Sequence, residues 1–167
     1  RPSTSNAPVG VAPAVARLDL VTVRLGLVAV MGAGLAWMAG NVFDRFEPTL
    51  LIPIVVAVAV VVGAARLPAR VPAAARVALV AVAVGASAWV VARLAGGTFG
   101  DVVPRLVDGP RRLLTTEWPS PRDPTVLATV ALLLGTVTAV AAALARRADL
   151  HLAPLAPFAV GLVVLTA

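Results

Sequence analysis

Long apolar runs alternate along the chain with short polar connections that carry arginine. Five runs are dominated by Ala, Val, Leu and Gly, and they cover residues 25–43, 50–65, 77–92, 125–145 and 153–167. A helix needs about 20 apolar residues to cross about 30 Å of hydrocarbon while bonding every backbone group internally. The pattern therefore predicts an all-α fold, a polytopic transmembrane helical bundle of about five spans.

The amino-terminal stretch differs from these runs in being polar and proline-containing. It predicts a flexible cytoplasmic tail over residues 1–17, followed by a transmembrane helical domain over residues 18–167. No signal peptide is recognisable in it. Because the chain begins at Arg1 and ends inside an apolar run at Ala167, we expect it to be part of a longer protein.

Two helix starts have a local signal. Asp123 is followed by Pro124, and Glu47 is followed by Pro48. An acidic residue at the N-cap and proline at the first helical position is typical of a helix start, because proline lacks only an N–H that would be unpaired there. The second and fourth spans are predicted to begin at these pairs.

Composition agrees with lipid as the surrounding medium. Hydrophobic residues make up 60% of the chain and charged residues 13%, with a mean hydropathy of +0.97. A water-soluble domain of this composition would have too few polar residues to cover its surface. The lipid bilayer is therefore the first predicted partner.

The basic residues favour no nucleic-acid partner, although the pI is about 11.7. All 14 are arginine, which indicates GC-rich codon usage, and they lie between apolar runs rather than on one soluble face with aromatic side chains between them.

Lys and Arg beside spans are retained in the cytoplasm. With the amino terminus inside, the inner segments contain eight arginines and the two carboxylates Asp19 and Asp149, so their net charge is +6. The eight inner arginines are Arg1, Arg17, Arg24, Arg66, Arg70, Arg76, Arg146 and Arg147.

The six outer arginines are balanced by six carboxylates, so the outer segments have no net charge. We therefore predict a multi-pass protein of the bacterial inner (plasma) membrane with a cytoplasmic amino terminus. On this orientation residue Ala73 lies inside and residue Thr98 outside.

The long outer connection, residues 93–124, has an amphipathic pattern. Its apolar residues recur at helical spacing opposite charged ones, which predicts a segment lying flat on the outer membrane surface. Gly109 and Pro110 are expected to divide it, with Asp108 capping the second piece. Trp118 is placed as an interfacial aromatic anchor. The segment is interpreted as an ordinary connector, with a docking surface for a following domain as the alternative; its marker residues are Asp108, Leu113, Leu114 and Trp118.

Small residues recur at every fourth position in three spans, which lets helix backbones approach each other in lipid. We interpret them as packing seams within the chain, with a homodimer face as the alternative. The seam residues are Gly32, Ala36 and Gly40 in the first span, Ala131, Gly135, Ala139 and Ala143 in the fourth, and Ala81 and Gly85 in the third.

Candidate chemistry is sparse. The chain has no cysteine, and no ionisable residue lies at the centre of a run, where such groups tend to be functional. The hydroxyls of Ser87, Thr129, Thr136 and Thr138 are expected to bond to their own helices. Without other strong ligands nearby, the single histidine, His151, is interpreted as a solvated loop residue.

Two further polar features have structural interpretations. Asp44 and Glu47 are expected to cap the neighbouring span and pair with Arg45. The Gly-rich stretch at Gly96, Gly97 and Gly100 lacks a following GK[ST], so it is interpreted as a hinge rather than a phosphate loop. We predict no catalytic residue, no cofactor and no metal site in this chain.

One stretch of sequence carries a resemblance. Residues Asp108, Gly109, Leu113, Leu114, Thr115, Thr116 and Pro119 precede a span, then Arg146 and Arg147, then a span that opens Leu152, Ala153, Pro154, Leu155, Ala156, Pro157. This order resembles the N-terminal transmembrane region of bacterial membrane-bound transglutaminase-like (TgpA-type) proteins. The resemblance implies a bundle leading to an extracytoplasmic papain-like domain whose Cys, His and Asp carry out acyl transfer or peptide hydrolysis.

That catalytic domain lies outside this sequence, so no catalytic residue is carried over. The leading hypothesis is a non-catalytic membrane anchor or scaffold region of a larger cell-envelope protein, with a downstream extracytoplasmic domain or other membrane subunits as partners. Two alternatives stay open. One is a small transporter or channel subunit that binds its substrate near Ser87 and Thr136, and the other is a structural subunit of a membrane complex.

Overall fold

Five α-helices make up most of the described protein. A computed structural model describes residues 12–40, 43, 47–100, 123–147 and 153–166 of the 167-residue chain. A 3-10 turn, Pro48–Leu50, leads into the second helix. The helices are α1 (Ala12–Gly40), α2 (Leu51–Arg66), α3 (Ala73–Leu94), α4 (Pro124–Ala145) and α5 (Leu155–Thr166). The described part is an all-α bundle, as the sequence predicted.

Helix α4 is the centre of this bundle. It packs against each of the other four helices. In its most apolar 18-residue window 72% of the residues are buried, against 22%, 33% and 28% in the corresponding windows of the other three long helices. A helix that is apolar on every face lies either inside a bundle or in lipid, and α4 lies inside the bundle. The Ala, Gly and Val residues of α4 allow those neighbours to come close on all sides.

Four helical segments are long and apolar enough to cross a membrane: Leu20–Gly40, Pro48–Arg66, Ala73–Leu94 and Pro124–Ala145. Their outward faces carry large apolar side chains such as Val30, Trp37, Val55 and Val82. A continuous apolar exterior of this kind requires lipid around it. The protein is therefore membrane-embedded, as composition indicated.

Helix α5 has 12 residues within the described part, so the expectation of a fifth span stays a prediction. It packs on the bundle through Gly161. A Cβ placed at Gly161 would lie 3.3 Å from Val137 Cγ2 of α4 and 3.5 Å from Leu35 Cδ1 of α1. Phe158, one turn earlier, is buried at 3% exposure.

Two helices begin earlier than expected. Helix α1 begins at Ala12, inside the segment predicted as a tail, and α3 begins at Ala73 rather than near residue 77. The alanines after Pro72 are the strongest helix formers, and Pro72 supplies the extended conformation of an N-cap residue. A prediction based on apolar runs alone misses helix ends that contain polar residues.

The connections and one shared cavity give the relative directions of α1 to α4. Short connections join α1 to α2 and α2 to α3, so consecutive helices run in opposite directions. Residues from the starts of α2 and α4 and from the end of α3 line one shared cavity. Helix α4 is therefore parallel to α2 and antiparallel to α3. We name this end of the bundle, which contains Glu47 and Asp123, the acidic end.

The opposite end holds the last turn of α2, the first turn of α3 and the last turn of α4. We name it the basic end. Arg24 of α1 belongs to it, because Gly32, about two turns further on, faces Thr138 of the antiparallel α4. The arginines of this end whose side chains the structure describes are Arg24, Arg66, Arg70, Arg76, Arg146 and Arg147.

Candidate functional site

Two of the predicted seam glycines lie at close contacts between helices. A Cβ placed at Gly135 of α4 would lie 2.8 Å from Val84 Cγ1 of α3 and 3.3 Å from Pro53 Cβ of α2. No real Cβ fits at the shorter distance without a shift of the neighbour. Gly135 therefore lets α2 and α3 both approach the central helix.

Gly32 has the same role on α1. A Cβ at this position would lie 3.0 Å from Ile54 Cγ2 of α2 and 3.2 Å from Thr138 Oγ1 of α4. Approach of this kind replaces the missing hydrophobic drive between helices in lipid with van der Waals contact. Four of the other five seam residues of α1 and α4 are buried too: Ala36, Gly40, Ala131 and Ala139.

The buried face of α3 does not contain the residues that were expected to form its packing seam. Ala81 is exposed, and nothing lies within 4 Å of a Cβ placed at Gly85. The buried face of α3 consists of Val84, Ser87, Ala88, Val91 and Ala92. Small residues recur by chance in so alanine-rich a helix, and the larger Val84 faces the bundle because Gly135 leaves room for it. Ala143 of α4 is likewise exposed.

The buried hydroxyls mostly bond to their own helices. Ser87 Oγ donates to Val84 O at 2.7 Å, and Thr129 Oγ1 donates to Thr125 O at 2.8 Å. Thr136 is exposed on the bundle surface, whereas Ser87 is buried. These two residues therefore do not form the mid-membrane substrate site that the transporter alternative placed between α3 and α4.

Thr138 departs from this pattern. It is fully buried, and its Oγ1 has no hydrogen-bond partner within the described part of the chain. The oxygen lies 3.2 Å from the position that a Cβ would take at Gly32. An unpaired buried hydroxyl destabilises the folded state by about 1–3 kcal/mol. The Thr138 hydroxyl therefore does not contribute to the stability of the bundle.

A cavity of ≈ 200 Å³ opens at the acidic end of the bundle. It is lined by Glu47 and Thr49 before α2, Leu94 and Ala95 at the end of α3, and Leu127 in α4. Thr49 Oγ1 donates to Glu47 Oε1 at 3.3 Å. Glu47 occupies the N-cap of the 3-10 turn without a side-chain cap bond, so only part of its expected capping role is present.

The start of α4 is capped as the sequence predicted. Asp123 Oδ1 accepts a hydrogen bond from Thr125 N at 2.7 Å, and Pro124 occupies the first helical position. Asp44 and Arg45, which were expected to act with Glu47, lie outside the described residues.

The glycines after α3 form a helix cap, and the interpretation of this stretch as a hinge stays a prediction. Gly96 has a φ of 86°, Gly97 N donates to Ala92 O at 2.9 Å, and Gly96 N donates to Arg93 O at 3.0 Å. This pair of bonds with a left-handed glycine is a Schellman motif, which satisfies the last carbonyls of the helix.

An aromatic cluster stands beside this cap and was not predicted. The guanidinium carbon of Arg93 lies 5.9 Å from the Trp89 ring centroid, and Arg93 Nη1 donates to Gly97 O at 3.3 Å. The rings of Trp89 and Phe99 meet edge to face at 5.3 Å and 81°. The signal available in the sequence was tryptophan four residues before arginine at the end of an apolar run, a spacing that places both on one helix face.

The basic end is the most highly charged part of the described molecule. Within the described residues its six arginines make no ion pair. Arg76 is the most constrained of them. Its Nη2 donates to Pro68 O at 3.0 Å and to Leu67 O at 3.4 Å, while its Nε is buried without an acceptor.

Several predicted residues fall outside the described part of the chain. They are the loop residues Asp108, Leu113, Leu114 and Trp118, and His151 in the connection before α5. Among the residues that are described, no three His, Cys, Asp or Glu side chains are grouped closely enough to hold a metal ion.

Comparisons of the chain with protein-family models, with curated proteins and with solved structures found no significant match. The resemblance to transglutaminase-like proteins thus stays a prediction from the sequence.

Proposed function

We propose that this bundle is a non-catalytic integral-membrane anchor or scaffold region of a larger cell-envelope protein. The observation that supports it is the packing of α4, which is surrounded by α1, α2, α3 and α5 and buried along most of its length. Its apolar and small side chains fill the space in which a transporter would need a polar pathway. A rigid interior of this kind is suited to holding attached parts in a fixed place.

The orientation belongs to the same proposal: the amino terminus is cytoplasmic and the membrane is the bacterial inner membrane. It is supported by the separation of charge between the two ends of the bundle. Six described arginines lie at the basic end, whereas the acidic end contains Glu47, Asp123 and a single described arginine, Arg93. Arginine beside a span is retained in the cytoplasm.

The attached part is an extracytoplasmic domain of the transglutaminase-like type. This part of the proposal is supported by the motif between Asp108 and Pro119, which lies in the connection that leaves the acidic end after α3. An orientation with the basic end inside places that connection outside the cell.

The test is to exchange the bundle in the full-length protein. Residues 12–166 are replaced by an unrelated bundle of the same orientation, and membrane retention and the cellular activity of the whole protein are compared with the native form. Retention of both supports an anchor role. A correctly inserted exchange that loses the activity while the downstream domain stays folded would overturn it, because the bundle would then contribute more than attachment.

A further inference from the structure

We propose that the basic end of the bundle binds the headgroups of anionic phospholipids, with the α2–α3 turn as the main contact. Arg66, Arg70 and Arg76 flank or lie within one short turn, and none makes an ion pair with a described residue. The phosphodiester of a lipid is the anion available at the depth where these spans leave the hydrocarbon.

The arginines come from more than one helix and reach the same level of the bundle. Arg146 and Arg147 follow the last turn of α4, and Arg24 belongs to the neighbouring part of the antiparallel α1. Asp19 and Asp149 occur in the same stretches of sequence, and the end keeps a net positive charge with both included. Clusters of Lys and Arg immediately beside a span are typical of binding sites for anionic lipid.

Arg76 gives the site a fixed component. Its Nη2 is held by Pro68 O and Leu67 O, the carbonyls that follow α2, so the guanidinium already has one orientation. Its Nε is buried, so the donors that Arg76 can offer to a headgroup are those of its Nη groups. Arginine pairs with phosphate through parallel N–H donors, and a preoriented side chain loses little entropy on binding.

The position of the aromatic cluster points to the same assignment. Trp89 and Phe99 lie at the acidic end, where Arg93 is held over the Trp89 ring. The arginine at that end therefore has an aromatic partner within the chain, whereas no arginine of the basic end has an aromatic or acidic partner among the described residues. Selectivity for lipid charge should consequently be confined to the basic end.

The experiment compares lipid binding at the two ends of the purified protein in vesicles of mixed phosphatidylcholine and phosphatidylglycerol. The chain has no cysteine, so Ala69→Cys in the α2–α3 turn or Gly100→Cys at the acidic end provides one labelling site for bimane. Quenching by phosphatidylglycerol or phosphatidylcholine with a nitroxide on the acyl chain gives the relative association of the two lipids. Symmetric vesicles make the result independent of orientation and of any anchor role.

We expect phosphatidylglycerol to be favoured at residue 69 by about fivefold for each arginine engaged, and to show no preference at residue 100. The variant Arg66→Gln/Arg70→Gln should reduce the preference about 25-fold on the same basis, and 0.5 M salt should weaken it. Arg93→Gln is the matched control and should leave it unchanged. The variant Arg146→Gln/Arg147→Gln removes two other arginines of the basic end without disturbing the α2–α3 turn, so it tests the lipid preference a second time.

Two outcomes would overturn the proposal. One is equal association of the two lipids at residue 69 in the native sequence. The other is complete loss of the preference when inorganic phosphate replaces chloride at constant ionic strength, which would assign the end to free phosphate instead of lipid. Circular dichroism of each variant confirms that the helices are retained.

Discussion

Val84 of α3 lies directly against Gly135 of α4, so closely that a Cβ at the glycine would be 2.8 Å from Val84 Cγ1. Pro53 of α2 closes the same position from the other side at 3.3 Å. Three helices therefore meet where one side chain is missing. In lipid, where apolar side chains gain little by leaving the solvent, contact of this quality is a principal source of helix association.

Gly135→Ala should lower the free energy of unfolding by about 1–3 kcal/mol, the usual cost of overpacking a filled interior. The measurement is helix content during titration of detergent micelles with a denaturing surfactant. Adding Val84→Ala should restore part of the loss, since it removes the atom in the way. Gly34→Ala is the control, because nothing lies within 4 Å of its Cβ position and alanine favours the helix. An equal loss in both variants would contradict the contact.

How far the sequence predicts this fold depends on the property considered. Apolar length identified the helices, but not the centre of the bundle, because the mean hydropathy of α4 at 2.2 lies between those of α2 at 2.5 and α3 at 2.1. The feature that distinguishes α4 is the pairing of its small residues with particular side chains of the neighbouring helices. That depends on the partner side chain, as Val84 opposite Gly135 demonstrates, and no single helix sequence contains this information.

Asp123→Ala should reduce stability by about 1 kcal/mol, because Thr125 N would lose its cap acceptor. Asp123→Asn keeps an oxygen that can accept the same bond and removes the charge, so it is the matched variant. If Asp123→Asn has near-native stability and Asp123→Ala is less stable, the effect is due to capping. Equal losses in both would mean that the charge of Asp123, which has a further partner, is the larger contribution.

Gly96→Ala should destabilise the end of α3 by about 1–2 kcal/mol, since a φ of 86° crowds the Cβ of an L-residue. Gly96→Asn should be affected less, because asparagine tolerates this conformation. Gly63→Ala, placed in open space within α2, gives the background effect of the substitution. The readout is the unfolding midpoint together with tryptophan emission from Trp89. If Gly96→Ala and Gly63→Ala gave the same midpoint, the left-handed conformation of Gly96 would not contribute to stability, which would contradict the prediction.

Cysteine labelling in intact cells tests the orientation. Because the chain contains no cysteine, Ala73→Cys and Thr98→Cys each introduce a single reactive site at opposite ends of the bundle. We expect an impermeant maleimide to label Thr98→Cys directly and Ala73→Cys only after the cells are permeabilised. The reverse order would place the basic end outside and contradict the positive-inside assignment.

Thr138→Val tests whether the unpaired hydroxyl has a use. Valine has nearly the same shape, and Thr138 Oγ1 has no partner among the described residues, so the substitution should raise the free energy of unfolding by about 1 kcal/mol. Thr129→Val is the matched control. Its hydroxyl donates to Thr125 O, so its removal should be neutral or destabilising. Both variants are measured by the same surfactant titration and then compared in the full-length protein for cellular activity. A Thr138→Val protein that is more stable and fully active agrees with a packed anchor. One that is more stable but inactive would show that the hydroxyl, which faces Gly32 in the middle of the bundle, binds a ligand, and the transporter interpretation would then replace the anchor.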